Sequence, residues 1–360
     1  MTEQLDRPPR AGARTTSSYT ELAQLVRESG LLDRRRGWYW RRLGVAALAI
    51  GGLVLTVVLV GNSWWQLALA AGLGAVLAQV GFLGHDAAHR QIFASPAWND
   101  WTARILSGAV VGLSYGWWQD KHTRHHAAPN QLGRDPDISP GLLAFTPEMA
   151  ADRTGVFAWL TRHQGWLLLP MLTLQGLSLH VDAVRELWRR TGSRRRDRHR
   201  LLEAALIWLR IGGLVAFLVL LLPMGKAAAF VGVYLAVFGV LLGGSFVPNH
   251  TGMPIVPKDA KLDFLHRQVL TSRNVRGNVF LDAAMGGLNH QIEHHLFPSM
   301  PRPHLRRVRP LVRDYCARRG IPYTELGLLA SYGVVVRHLN TVGLRARDPF
   351  HCPLAAQLRD

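Results

Sequence analysis

Three stretches of this chain, residues 43–60, 64–84 and 227–247, contain no charged side chain. Each is long enough to cross a hydrocarbon core of roughly 30 Å as a helix. Core helices of large soluble proteins rarely run so far without a charge, so these runs predict membrane spans. Residues 204–222 give a fourth span, interrupted by Arg210, whose long stem can snorkel or mark a late start. The fold class that follows is an all-α integral membrane protein.

The spacing of the spans predicts their topology. Only Gly61, Asn62 and Ser63 separate the first two, and only residues 223–226 separate the last two. Each pair therefore reads as a tight hairpin, which leaves residues 1–42, 85–203 and 248–360 on one side. Lys226 is the single basic residue in the opposite turns. By the positive-inside rule the large segments, both termini included, are cytoplasmic. The first forty residues are polar and basic, with no cleavable signal, so the expected location is the plasma or inner membrane if the source is bacterial. Residues 105–119 and 165–179 are uncharged but short, and predict interfacial or re-entrant helices. Residues 20–32 predict an amphipathic helix with Leu22, Leu25, Val26 and Leu31 on one side, and Trp38, Trp40, Arg41 and Arg42 form an interface belt.

Composition then excludes several classes. The chain carries 42 Lys and Arg against 24 Asp and Glu, a formal net charge of +18. Such a balance suggests nucleic acid, but no recognition module or interleaved aromatics accompany it. The basic run at 189–200 reads instead as a contact for anionic lipid headgroups. Cys316 and Cys352 are the only cysteines, which excludes a disulfide-stapled scaffold and suits a reducing cytoplasm.

Histidine carries the chemistry. His85 and His89 form H-D-A-A-H after the second span, His122, His125 and His126 form H-T-R-H-H, and His290, His294 and His295 lie in H-Q-I-E-H-H. His250 follows the fourth span in V-P-N-H. With 16 histidines in 360 residues, one H-x-x-x-H is expected about 0.7 times by chance, but H-x-x-H-H only about 0.03 times. On a helix, positions i and i+3 or i+4 share a face, so each cluster can aim its imidazoles at one point. Imidazole suits iron, copper, zinc and nickel rather than magnesium or calcium. So many histidines exceed the needs of one four-coordinate zinc and imply two metals. Two redox-active irons are the natural candidate, although spacing does not separate iron from zinc or copper.

These boxes, with G-G-L-N-H-Q-I-E-H-H-L-F-P at 286–298 and four spans in two hairpins, resemble the membrane fatty acid desaturases over residues 19–321. The resemblance implies a di-iron enzyme that uses dioxygen and two electrons to convert a CH₂–CH₂ unit of an acyl chain, on CoA or a lipid, into a cis double bond. It also implies a desaturase domain at 43–321, with spans about 43–61, 64–84, 204–222 and 227–247. Residues 1–42 and 322–360 would flank it as cytoplasmic segments, and a cytoplasmic helical cap would hold the di-metal site. Carried over by position, the implied ligands are His85, His89, His122, His125, His126, His294 and His295, with His250 as the additional histidine. Many acyl-CoA desaturases have histidine three places before the position of His294, where this chain has Gln291. That substitution marks a branch that includes front-end acyl desaturases, and it leaves Gln291 or the neighbouring His290 to face the metal. No H-P-G-G haem motif of a fused cytochrome b5 occurs, so the expected electron donor is a separate ferredoxin or reductase. Partners are then an acyl substrate, dioxygen, that donor and membrane lipids, with no nucleic acid.

Several residues carry two readings. Asp86, Asp135, Asp137, Asn289 and Glu293 can accept the second N–H of a ligating imidazole, or serve as helix caps and turn residues. Trp117 and Trp118 can line an acyl tunnel or anchor at the interface. His163, His180, His199, His266, His304, His338 and His351 read as surface or interface histidines. The tail beyond Pro322 reads as a peripheral helix and a polar end. Two rival functions remain: a hydroxylase of lipid, alkane or sterol on the same scaffold, and a metal transporter. The transporter would want polar or ionisable groups inside the spans, where Arg210 is the only charged side chain.

Overall fold

The computed structural model describes residues 17–188 and 194–345. Four of its helices are long and apolar enough to cross a membrane: Arg36–Val60, Gln66–Ala88, Arg198–Leu221 and Met224–His250. The first and third bury only 6% and 11% of their most apolar windows, whereas the second and fourth bury 50% and 28%. The second and fourth thus form the inner pair, and the first and third leave most of their apolar side chains on the outer surface, which suits a lipid solvent. Residues 61–65 join the first helix to the second, and Gln66 Nε2 donates to the carbonyls of Val57 and Gly61 at 2.8 Å. Lys226 Nζ donates to Asn62 Oδ1 at 2.7 Å, so the turns of both helix pairs lie side by side.

The helices run past the expected spans at the opposite end. The second continues to Ala88 with His89 as its C-cap, and the fourth continues through Pro248 to His250. Two histidine positions are therefore mounted on rigid helix ends. Arg273, fully buried, closes the fourth helix by donating from Nε to the Pro248 carbonyl at 2.8 Å and from a terminal nitrogen to the Thr251 carbonyl at 3.1 Å. A cation at a helix C-terminus satisfies the carbonyls that helix geometry leaves unpaired.

The stretch expected as one interfacial helix at 105–119 is broken. Pro96–Arg104 continues into a π-helical segment, Ile105–Val111, which ends at Gly112 with φ 94°, and a new helix, Tyr115–Ala127, starts on the Ser114 cap. The carbonyls freed at the break are met by Arg210 Nε on Val110 at 2.6 Å and by His180 Nε2 near Val111 at 3.2 Å. Arg210 therefore has a structural partner inside its span. The second interfacial candidate, 165–179, is a longer helix, Leu168–Leu187, that packs on the fourth span through Gly176 and Gly239.

Outside the spans, Ser18–Glu28 packs Leu22 and Val26 against Val308, Val312 and Tyr315 of helix Arg302–Arg318. Leu25, expected on the same face, is 36% exposed. Residues beyond 322 are more than a peripheral tail. Glu325–Gly327 pairs in parallel with Asn274–Arg276, and helix Leu328–Arg345 buries Val335 and Leu339 against Leu168 and Leu172. Three histidines expected at the surface are also interior: His180 and His304 are buried, and His338 lies in a cavity wall. The first part of the basic run at 189–200, together with His351 and Cys352, lies outside the described residues.

Candidate metal centre and adjoining cavity

Four separate pieces of chain bring the histidines together. His85 and His89 sit at the end of the second span, and His122, His125 and His126 sit on Tyr115–Ala127. His250 ends the fourth span, and Gln291, His294 and His295 come from the short helix Gln291–Leu296. That short helix is set by its approach. Gly286 has φ +60°, and a Cβ there would stand 2.2 Å from the Phe82 ring of the second span. Only glycine combines that backbone conformation with so close an approach. Asn274 then fixes the first turn, its Oδ1 accepting from the Ile292 N–H at 2.9 Å.

The ring nitrogens converge. His89 Nε2 and His122 Nε2 are 2.8 Å apart, and His126 Nε2 and His294 Nε2 are 3.1 Å apart. His85, His89, His122 and His294 each offer one nitrogen within a 4.8 Å group, and His125, His250 and His295 form a second such group. His126 stacks on His295 at 4.2 Å and meets His89 at 4.7 Å, which places it between the groups. Gln291 Nε2 lies 2.9 Å from His250 Nε2. His290 points elsewhere: its Nε2 faces Asp282 at 3.2 Å. Of the two alternatives at this position, Gln291 is in the cluster and His290 is outside it.

Protonation follows from crowding. Burial pushes His89 down to about 3. Burial first, and then neighbouring imidazoles, hold His122, His126, His294 and His295 well below the usual histidine range. These rings are neutral at physiological pH and keep a lone pair each. His125 differs. Burial lowers it, but Asp137 and Asp135 outweigh burial and raise it. Among the converging buried nitrogens, His85 Nε2 and His295 Nε2 have no hydrogen-bond partner. Unpartnered buried polar atoms are costly, and a cation is the group that accepts several convergent lone pairs at once. The donor set thus fits transition metals that favour imidazole.

Residues expected to support the rings divide. Asp135 accepts from His125 Nδ1 at 3.0 Å through either oxygen, and Asp137 lies 3.3 Å away. Asp86 Oδ1 is 3.7 Å from His85 Nδ1, while its other oxygen pairs with Arg302 at 2.6 Å. Asn289 turns to Asp282, and Glu293 is held by Tyr323 at 2.6 Å and Asn274 at 2.7 Å. Sequence reasoning missed Gln268, whose Oε1 takes His295 Nδ1 at 2.9 Å, and the Thr271 carbonyl on His250 Nδ1 at 2.9 Å. Neither has a signature, because an amide or peptide oxygen can come from any residue that the fold delivers.

A cavity of about 310 Å³ borders the cluster, with His85, His122, His125 and His250 in its wall. Leu113, Trp117, Leu172, Leu179, Leu242 and Phe246 make most of the remainder apolar. Trp118 also stacks on His122 at 4.3 Å, so both tryptophans of the pair face this region.

Residues 62–327 match the sequence profile of the family described as fatty acid desaturase. An acyl-lipid (9-3)-desaturase of Physcomitrium patens is 32% identical over 292 residues, covering 78% of this chain and 54% of that protein. This chain therefore spans about half the length of that relative. A Delta(8)-fatty-acid desaturase of Helianthus annuus is 28% identical over 346 residues, 92% of this chain and 74% of the relative. A Delta(5) fatty acid desaturase of Caenorhabditis elegans is 30% identical over 330 residues, 86% of this chain and 70% of the relative.

Proposed function

The chain belongs to the fatty acid desaturase family, and from that membership we propose that it is an integral membrane oxidoreductase inserting a cis double bond into an acyl chain. Dioxygen is the oxidant, two electrons come from a separate ferredoxin or reductase, and the acyl group is carried on CoA or on a lipid. The observation that carries the reading is the meeting of two imidazole groups with the wall of one apolar cavity. Two irons, one at His85, His89, His122 and His294 and one at His125, His250 and His295, would supply the reductive activation of dioxygen that abstraction from an unactivated methylene demands. His126, between the two positions, and Gln291, beside His250, complete the ligand set we propose. His290 is left out of it because its ring serves Asp282.

The protein's own part is binding and shielding. The cavity wall of leucines and aromatics holds the chain against the histidines and keeps water from a reactive intermediate. Neutral imidazoles at His89, His122, His126, His294 and His295 let metal bind there without first releasing protons. We further propose that the spans form two hairpins, with the histidines, the helical cap and both termini on the cytoplasmic side. The adjacency of Asn62 and Lys226 in the two short turns supports this arrangement, as does the basic excess outside the spans. The desaturase domain starts near residue 43. Its working unit extends beyond 321, because Tyr323 and the strand Glu325–Gly327 brace the segment that carries the third box.

Mass spectrometry of lipids from expressing cells tests the proposal. Loss of two hydrogens supports it, and gain of one oxygen would establish a hydroxylase on the same scaffold instead. Purified protein should hold about two irons per chain through dialysis. Metal transport without lipid modification would overturn the enzyme reading altogether.

A further inference from the structure

We propose that the two metal positions differ in affinity, the tighter one lying at His125, His250 and His295, and that Gln268 is a positioning residue for it. The inference rests on the di-metal reading above.

An imidazole ligates through one nitrogen, and a hydrogen bond from the other fixes its tautomer and raises its basicity. In the second group every ring has such a bond to oxygen. His125 Nδ1 donates to the Asp135 carboxylate at 3.0 Å, His250 Nδ1 to the Thr271 carbonyl at 2.9 Å, and His295 Nδ1 to Gln268 Oε1 at 2.9 Å. Nε2 is thereby the nitrogen left to ligate in each ring; that of His295 is buried without a partner, and that of His250 lies 2.9 Å from Gln291 Nε2.

Gln268 is itself held in one orientation. Its Nε2 donates to the His126 carbonyl at 3.0 Å, and an amide oxygen cannot take that place. The oxygen must then face His295, and full burial removes competing water. Asp135 is likewise preset by the backbone N–H groups of Asn130 at 2.7 Å and Asp137 at 2.9 Å.

The first group lacks this support. His85 Nδ1 is 3.7 Å from Asp86, beyond hydrogen-bonding reach, and Asp86 is engaged by Arg302. His294 Nδ1 is buried without a partner. Among the described residues, the side chains of His89 and His122 pair with each other and with no oxygen. Loss of one such outer hydrogen bond typically weakens a metal site 10- to 100-fold. A position with three of them and a position with none should differ by at least about tenfold.

The full chain, purified with its metal in detergent, would be dialysed under argon against Fe(II) buffered at graded free concentrations, and iron per chain counted. The expected curve loses iron in two steps with midpoints at least tenfold apart. His294→Ala should remove the weaker step alone. Gln268→Leu should move the tighter step 10- to 100-fold towards weaker binding and leave the weaker step in place. If Gln268→Leu fails to fold, Asp135→Asn is the second variant and should weaken the same step. Two wild-type steps with one midpoint, or a tight step unmoved in a folded Gln268→Leu and in Asp135→Asn, would overturn the proposal. A wild-type chain that binds a single iron would refute the di-metal reading itself.

Discussion

Gly176→Ala probes the contact on which the cavity depends. Helix Leu168–Leu187 and the fourth span meet backbone to backbone. A Cβ on Gly176 would lie 2.2 Å from the Leu235 carbonyl oxygen and 3.2 Å from the Gly239 nitrogen. Ordinary contact begins near 3.4 Å, so the helices must part by about 1.2 Å at this point. Overpacking of that kind costs roughly 1–3 kcal/mol; about 2 kcal/mol would be a factor of roughly 30 in an equilibrium. The separation also opens the cavity, since Leu172 and Leu179 line it from one helix and Leu242 and Phe246 from the other. Gly232→Ala is the control: it lies on the same span, has nothing within 4 Å, and should be neutral or slightly stabilising. The measurements are apparent melting temperature in detergent and double-bond product per unit of membrane protein. Gly176→Ala should fall in both while keeping its iron. Behaviour equal to Gly232→Ala in both would show that the helices do not touch in this way.

Four further substitutions probe other parts of the structure. Glu203 is buried and accepts from Arg104 Nε at 3.0 Å, Ser114 Oγ at 2.7 Å and the Gly116 N–H at 3.1 Å, so it anchors the helix of the second histidine box. Glu203→Gln leaves Arg104 buried without its counter-charge and should cost about 3 kcal/mol; an unchanged melting temperature would refute the anchoring role. His290→Ala should retain both irons whereas His250→Ala should lose one, and the opposite pattern in metal analysis would place His290 rather than His250 among the ligands. Tyr323→Phe removes the O–H donated to buried Glu293 at 2.6 Å and should destabilise by about 1–2 kcal/mol, read as a lower melting temperature, and an unshifted melt would detach residues beyond 322 from the third box.

The legibility of these features in the sequence follows the range of the forces involved. Spans and boxes were readable because apolar runs and helical spacing are local, period-bound signals; His85 and His89 share one group as their spacing allows, whereas the second box divides, His122 going to one group and His125 to the other. The break at Gly112 was not readable, because 105–119 is uniformly apolar and its interruption depends on Arg210 and His180 arriving from distant helices. Gln268, Thr271 and Tyr323 were hidden for the same reason. Each touches a box residue between 21 and 30 positions away in sequence, and nothing in their local spacing marks them. Gln291 and His290 could be separated only by geometry, since adjacent residues on a short helix face different ways.

The imidazole composition of the cluster has a physical cause in its neighbourhood. Di-iron sites in soluble four-helix bundles use glutamate ligands, whose charges the metals offset. Here the same rings form the wall of an apolar cavity, where an ionised carboxylate without its metal would cost several kcal/mol. Neutral imidazoles avoid that cost, and the acidic groups beside them, Asp135 and Asp137 in the cavity wall included, are already compensated. Asp135 has the N–H groups of Asn130 and Asp137, Asp86 has Arg302, and Glu293 has Tyr323 and Asn274. The chain can therefore fold and insert before any metal binds. On this argument His125→Ala, which strips Asp135 of one partner but leaves it two backbone donors, should reach the membrane in wild-type amount and make no product. Loss of the protein from the membrane fraction would show that ligand and fold are not separable in this way.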